Sequence, residues 1–162
     1  LVYKDADTSA KFIAQLSTVY RYLLFNQEKK VVALRDELEF LNAYLFLLKI
    51  RFGDNLVVEN RISHDSEKFF MAPAVLQMLI ENAIKHNVVS KKNPLHIRLF
   101  SENGWIVVSN TLQEKEVKEL STQVGLRNIM SRYLFLSHEE VKILKSGEEF
   151  TVKIPLLQVE EL

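Results

Sequence analysis

Apolar residues at helical spacing fill the first third of the chain. In residues 7–26 they recur at intervals of four, three and four residues, which predicts an amphipathic helix capped by Asp7 or Thr8. Residues 34–52 carry two apolar stripes, so this second helix must be covered on two sides, one of them facing the first helix. The stripes are Leu34, Leu38, Leu41, Leu45 and Leu48 on one side and Phe40, Tyr44 and Leu47 on the other.

From Gly53, which is expected to end the second helix, the pattern changes to short strands alternating with helices. Asn103-Gly104 and Ser146-Gly147 predict the tight turns of two hairpins. The polar residues 111–124 have no clean period and predict a mobile loop. The predicted order after the first two helices is β-α-β-β-loop-α-β-β, with one helix opened by Pro73 and the last beginning at Gly125.

This order predicts an α+β fold, a two-layer α/β sandwich preceded by two long helices. The composition supports a sizeable core, since 48% of the residues are hydrophobic and only four are glycine and three proline. We expect two parts, a helical segment at residues 1–52 and a second domain at residues 53–162.

Charge and cysteine content narrow the function classes. The chain has 21 Lys and Arg residues and 21 Asp and Glu residues, so it carries no excess of positive charge that would favour binding to nucleic acid. It has no cysteine, which excludes disulfides and thiolate metal sites. The most apolar stretch, residues 43–50, is interrupted by Lys49 and is far shorter than the ~20 residues of a membrane span. Because the chain begins with Leu1, we expect it to be a piece of a longer protein.

The stretch "LIENAIKHN" at residues 79–87 carries the candidate chemistry. On a helical wheel its apolar residues gather on one side, while Asn82, Lys85 and His86 share an arc on the other. An amide oxygen suits Mg²⁺, and lysine and histidine suit phosphate. A solvated helix face explains the same spacing, so the residues permit a MgATP site without requiring one.

Four stretches follow one another along the chain: "ELEFLNAYLFLLKIRFGDNL", "LQMLIENAIKHN", "VGLRNIMSRY" and "FTVKIPLL". Together they resemble the LytS-like family of bacterial sensor histidine kinases. "LQMLIENAIKHN" resembles the N box of these kinases, and "VGLRNIMSRY" is similar to their second glycine box and the helix after it. "ELEFLNAYLFLLKIRFGDNL" looks like the helix leading into their catalytic domain, and "FTVKIPLL" like its closing strand. The resemblance covers essentially the whole chain and implies a Bergerat-type ATP-binding fold.

The resemblance implies a role for each matching residue. Asn82 would be the Mg²⁺ ligand, Lys85 and His86 would meet the triphosphate, and Asn87 would close the same end of the pocket. Gly125 would allow close approach to phosphate, Leu126 would pack under the nucleotide, and residues 111–124 would form a lid over ATP.

The chain also departs from the family pattern. Asn110 stands where an adenine-binding Asp is expected, although its amide oxygen can still accept a hydrogen bond from the adenine amine. Leu112 occupies a glycine position, as do Ser121 and Gln123. Met78 stands where related ATPases carry a glutamate base, so hydrolysis by this domain should be poor.

We therefore expect the catalytic domain of a two-component sensor histidine kinase, using ATP and Mg²⁺ and passing the γ-phosphate to a histidine upstream of this chain. His64, His96 and His138 match no acceptor segment and are interpreted as ordinary histidines. A response regulator and a second copy, bound through the helical segment, are the expected partners, and nucleic acid is not. The domain is expected to be cytoplasmic in an inner-membrane sensor, with membrane contact only through segments outside this chain.

The alternative is a degenerate, kinase-like interaction module with weak or no nucleotide binding. It is motivated by the altered glycine boxes.

Overall fold

The computed structural model describes residues 6–116 and 122–158. Four α-helices, two short 3-10 helices (Gly53–Asn55 and His64–Lys68) and seven strands lie in these two ranges. The helices are α1 (Ala6–Asn26), α2 (Leu34–Phe52), α3 (Val75–His86) and α4 (Thr122–Leu136). The strands are β1 (Val32–Ala33), β2 (Leu56–Arg61), β3 (Phe70–Met71), β4 (Leu95–Glu102), β5 (Trp105–Thr111), β6 (Lys142–Lys145) and β7 (Glu149–Pro155).

Helix α2 is covered on two sides, as its two apolar stripes predict. Leu34, Leu41 and Leu48 enter the main core together with residues of the sheet. On its other side, Phe40 and Ala43 pack with Val19 of α1 in a separate, smaller cluster. The helix ends at Phe52 and is followed by Gly53, whose positive φ of 56° favours glycine and whose N–H donates to the Lys49 carbonyl.

Five strands form one mixed sheet in the order β2-β4-β5-β7-β6. The β2–β4 pair is parallel, and the other neighbours are antiparallel. Buried residues of α2, α3 and α4 share one core with the sheet residues Ile97, Val108 and Ile154. His96 and Arg98 alternate with this buried set and are exposed on the other face of the sheet. The predicted α+β sandwich preceded by two long helices is therefore confirmed.

Helix α1 begins at Ala6, so Asp7 and Thr8 lie within the helix and not at its cap as predicted.

The structure also corrects two later helix starts. Helix α3 begins at Val75 rather than at Pro73, because Ala74 is held in the left-handed region at a φ of 61°. Helix α4 begins at Thr122, three residues before the predicted start at Gly125. The residues of its first turn belong to a polar stretch without helical periodicity, so the sequence pattern did not predict them. The sequence pattern also did not predict the two-stranded antiparallel sheet of β1 and β3, which is too short to show alternation.

The β4–β5 hairpin confirms its turn signal. Asn103 and Gly104 both have positive φ, 50° and 83°, as the two central residues of a type I′ turn require. Within the described ranges, no helix combines the length and apolar character needed to cross a bilayer.

Candidate functional site

A cavity of about 430 Å³ lies between α3, α4 and the strands β5, β6 and β7. Part of its wall is apolar, and the rest carries amide and charged side chains. A mixed wall of this kind is typical of sites for ligands that combine an apolar part with polar groups. The apolar lining is Ala83, Leu112, Leu126, Met130, Ile143 and Phe150, and the polar lining is Asn82, His86, Asn87, Asn110, Glu114, Arg127 and Lys145.

The structure brings most of the predicted site residues to this cavity. Lys85 is half-buried on α3 but does not line the cavity, and neither does Gly125 on α4. The predicted residues that line it are Asn82, His86, Asn87, Asn110 and Leu126.

Helix α3 places Asn82 and His86 one turn apart on its cavity side. The helix is anchored by its other face, where Leu76, Leu79 and Ile80 are buried in the main core. Because the buried stripe fixes the rotation of the helix, the polar residues at i and i+4 must face the cavity together. The amphipathic pattern of α3 therefore places an amide and an imidazole on the same wall of the cavity.

Asn87 ends α3 and ties it to the chain that follows β5. Its amide nitrogen donates to the Ala83 carbonyl at 2.8 Å, and its amide oxygen accepts from the Gln113 N–H at 2.8 Å. The residue is buried, so these bonds satisfy a side chain that would otherwise be costly. Asn87 thus fixes the shape of this end of the cavity.

The first part of the predicted lid is anchored to the end of α3. The Gln113 carbonyl accepts from the Val88 N–H at 2.9 Å, and the Lys115 N–H donates to the His86 carbonyl at 2.9 Å. The Gln113 side chain donates to the carbonyls of Val88 and Asn93. The middle of the predicted lid, residues 117–121, lies outside the described residues.

Asn110 lines the cavity from the central strand β5. It is buried, and its amide nitrogen donates to the Thr111 carbonyl at 2.7 Å. This bond orients the side chain and engages its donor end, so the amide oxygen is available as an acceptor.

Gly125 lies within the first turns of α4 rather than ahead of it. A Cβ built at this position would meet nothing within 4 Å, so protein packing does not require glycine here. The adjacent Leu126 packs against the main core and reaches the cavity wall.

Several lining residues escaped the sequence interpretation. Ile143, Lys145 and Phe150 come from the β6–β7 hairpin, whose position beside β5 cannot be read from local pattern. Lys145 forms an ion pair of 2.6 Å with Glu114, which joins the anchored lid segment to the edge strand. The alternation of "EFTVKIP" was the available signal, since it marks Phe150 as facing the same side as the buried Val152 and Ile154.

The remaining candidates lie away from the cavity. His64, His96 and His138 are exposed, and His64 pairs with Glu67 at 2.7 Å. The interpretation of the three histidines as ordinary ones stays a prediction.

Sequence comparison relates this chain to sensor kinases. The family described as Histidine kinase matches residues 1–56, which include α1 and α2. The sensor protein LytS of Bacillus subtilis is 26% identical over 97% of the chain, and LytS of Streptococcus agalactiae is 28% identical over 96% of it. The chain spans about 30% of the length of both relatives.

Comparison of structures gives the same fold. The Acinetobacter baumannii histidine kinase AdeS superposes with a TM-score of 0.52 at 17% sequence identity. The match covers 89% of this chain and 76% of the AdeS chain. At this identity the likeness establishes the fold and nothing finer.

Proposed function

We propose that this chain, which is related to the LytS-like sensor histidine kinases along nearly its whole length, is the ATP-binding catalytic domain of such a kinase. The similarity to sensor protein LytS over nearly the whole chain confirms the resemblance to this family. The reaction is transfer of the γ-phosphate from MgATP to a histidine upstream in the parent protein. The division into residues 1–52 and 53–162 stays a prediction.

The observation that supports this proposal best is the composition of the cavity. Asn82 and His86 enter it from α3, and Asn110 enters it from β5 on a different wall. An acceptor amide and apolar side chains suit a purine, whereas an imidazole and cationic side chains suit phosphates. One cavity thus offers the groups that the two ends of ATP need.

Asn82 is the residue that fits a magnesium ion. Its amide oxygen is a hard ligand, and Mg²⁺ commonly takes one or two protein ligands, with phosphates and water completing its shell. Held by Asn82, the ion would supply charge neutralisation for phosphoryl transfer. His86 lies one turn further on, where an imidazole can donate a hydrogen bond to phosphate.

Lys85 and Gly125 keep their proposed roles as predictions. Lys85 follows Asn82 by three residues on α3, and its long side chain can reach toward a triphosphate from outside the cavity lining. Gly125 offers open space on the first turns of α4, where helix N–H groups favour anions.

The cavity is better suited to positioning ATP than to hydrolysing it. Met78, at the position of the glutamate base in related ATPases, lines a separate cavity beside α1. Glu81 accepts hydrogen bonds from Tyr44 and Gln77 at 3.2 and 2.6 Å, as a structural residue does. Glu114, the acidic residue among the described lining residues, is paired with Lys145. We infer that catalysis comes from positioning and charge neutralisation.

Calorimetric titration with ATP, with and without Mg²⁺, tests the proposal. We expect saturable binding that Mg²⁺ strengthens. The degenerate-module alternative predicts no heat of binding at millimolar nucleotide, and that result would reject the kinase assignment.

Phosphotransfer is tested with labelled ATP on a chain extended upstream to include the acceptor histidine, where label should appear on that histidine. A hydrolysing ATPase would instead release phosphate steadily.

Substituting Asn110→Leu should weaken ATP binding about tenfold, because it removes the acceptor for the adenine amine without changing size greatly. GTP is the matched ligand, since guanine has a carbonyl where adenine has its amine. Affinity for GTP should change little. Equal losses for ATP and GTP would mean that the substitution deforms the cavity, and would contradict this role for Asn110.

A second copy of the chain is the proposed partner of α1. Its outer side exposes Ile13, Tyr20, Leu24 and Phe25 by 64, 61, 65 and 73%, and these side chains border a groove of about 560 Å³. Helices with an uncovered apolar stripe are stabilised by pairing. A response regulator is the proposed recipient of the phosphate.

Leu24→Arg should raise the dissociation constant of such a dimer at least about tenfold, because it places a charge in the apolar groove. Sedimentation equilibrium measures the effect. Leu134→Arg is the matched control, since Leu134 is exposed to nearly the same extent, 64%, but lies on α4. If both variants dissociate equally, or neither does, α1 is not the dimer surface.

A further inference from the structure

Glu37 is a carboxylate buried completely between three helices, with an exposed fraction of 0%. It lies in the first turn of α2 and accepts three hydrogen bonds. The donors are the Tyr22 hydroxyl at 2.5 Å, the Ala74 N–H at 2.9 Å and the Leu76 N–H at 3.1 Å. A buried carboxylate is tolerated only when such donors surround it.

Two of these bonds hold the beginning of α3. The helix has no side-chain cap of its own, because Ala74 stands at the cap position in the left-handed conformation. The first N–H groups of a helix need acceptors, and its N-terminal end favours negative charge. Glu37, which belongs to α2, supplies the acceptor oxygens and the negative charge. The position of α3 therefore depends on α2.

The third bond brings in α1. The Tyr22 ring stacks on Phe40 with centroids 4.2 Å apart, which directs its hydroxyl to Glu37. Burial raises the pKa of the Tyr22 hydroxyl well above its ordinary value, and the nearby Glu37 raises it further. The hydroxyl therefore keeps its proton and remains a donor over the whole range in which proteins work.

The turn before α3 is also held by α4. The Arg132 guanidinium donates to the Pro73 carbonyl at 3.1 Å, and the Tyr133 hydroxyl accepts from the Ala72 N–H at 3.1 Å. A cavity of about 420 Å³ lies between α1 and this turn, bordered by Leu23 on one side and by Pro73 and Arg132 on the other. The contact that remains is the packing of Ala74 against the small apolar cluster of α1 and α2. The bonds to Glu37 add a hydrogen-bonded link from α1 through α2 to α3.

We infer that Tyr22 and Glu37 are positioning residues that couple the docking of α1 to the nucleotide cavity. Glu37 of α2 accepts a hydrogen bond from the first turn of α3, and Asn82 and His86 lie near the other end of the same helix. A shift of α1 that breaks the Tyr22 bond changes the restraint on the same helix that lines the cavity. By linkage, a ligand that favours one position of α3 must favour the matching position of α1. The inference rests on the proposed nucleotide function.

Amide hydrogen exchange without nucleotide tests the link directly. Tyr22→Phe removes the hydroxyl and keeps the ring on Phe40. Thr18→Val is the matched control, since it also removes a hydroxyl from α1, one that donates to the Ala14 carbonyl within the same helix. We expect Tyr22→Phe to speed exchange about fivefold in α1 and throughout residues 75–87, while Thr18→Val resembles the wild type. Faster exchange confined to α1 would overturn the coupling. An equal increase in β4 and β5 would mean general destabilisation and would overturn it as well.

Calorimetric titration with MgADP supplies the second measurement. Tyr22→Phe should bind about fivefold more weakly than the wild type, and Thr18→Val should bind equally. Equal affinities in all three proteins would overturn the coupling. If the wild type itself binds no nucleotide, the proposed function fails, and exchange in residues 75–87 still decides whether Tyr22 and Glu37 restrain α3.

Discussion

Replacing Glu37 with leucine should lower the free energy of unfolding by about 3 kcal/mol. The two side chains have similar volumes, so the substitution leaves no large cavity. It does leave the Tyr22 hydroxyl and the N–H groups of Ala74 and Leu76 without their acceptor in the interior. An unmet buried donor costs about 1–3 kcal/mol, and relief of the buried charge offsets part of that sum. Chemical denaturation followed by circular dichroism measures the difference.

Glu39→Leu is the control, because Glu39 is exposed two residues away on the same helix. It should change the unfolding free energy by less than about 0.5 kcal/mol. Glu37→Gln should fall between, since one amide oxygen cannot serve three donors. A Glu37→Leu protein as stable as the wild type would show that the bonds to Glu37 contribute no net stability.

The pH dependence gives an independent check on Glu37. Burial raises the pKa of its carboxyl group above the ordinary 4.5, against the opposing effect of its hydrogen bonds. The folded state therefore binds the proton more tightly than the unfolded chain does. This contribution to stability is present below the ordinary pKa and is lost as pH rises through the raised one. The stability of the wild type relative to Glu37→Leu should accordingly decrease over that interval.

Replacing Asn82 with alanine should remove most of the Mg²⁺-dependent part of ATP binding, a loss of about 100-fold or about 2.7 kcal/mol. Asn82 lines the cavity, and no side-chain hydrogen bond to it is present among the described residues, so its amide is open to a ligand. Removing the oxygen leaves the metal with fewer ligands than it prefers. Affinity for ATP in the presence of a chelator should stay nearly unchanged.

The comparison with and without metal separates ligation from damage to the fold. A structural role for Asn82 would weaken binding equally in both conditions, which would contradict the assignment. Asn42→Ala, an exposed asparagine on α2, is the matched control and should bind MgATP like the wild type. Thermal unfolding of both variants verifies that each is folded.

Local chemistry made much of the fold predictable. Helix α2 spans 34–52 as expected, because a double apolar stripe ends at a glycine with positive φ. The β4–β5 hairpin was predictable from Asn103 and Gly104, whose backbone conformations few other residue pairs adopt. In both cases the signal lies within a few residues of the structure that it specifies.

Long-range chemistry was not predictable in the same way. The bond from the Ala74 N–H to Glu37 joins residues 37 apart, and a lone glutamate in a helix reads as solvated until its neighbours are known. The left-handed Ala74 has no local signature, since alanine ordinarily avoids that conformation. Both features depend on helix packing, which periodicity does not describe.

The candidate site falls between these cases. The helical wheel correctly grouped Asn82 with His86, because the buried stripe of α3 sets their direction. It also grouped Lys85 with them, although Lys85 lies outside the cavity lining. The contribution of Phe150 required the pairing of β7 with β5, where Phe150 stands opposite Asn110.

That pairing has a consequence for the order in which the molecule is assembled. Strand β7 closes one edge of the central strand β5, yet during synthesis it leaves the ribosome after every other described helix and strand. Until it docks, β5 presents an unpaired edge that is open to association with other chains. The same hairpin supplies Ile143, Lys145 and Phe150, so the cavity and the sheet are completed in one event. A ligand that fills the cavity therefore stabilises the docked hairpin and lowers the fraction of molecules in which that edge is exposed.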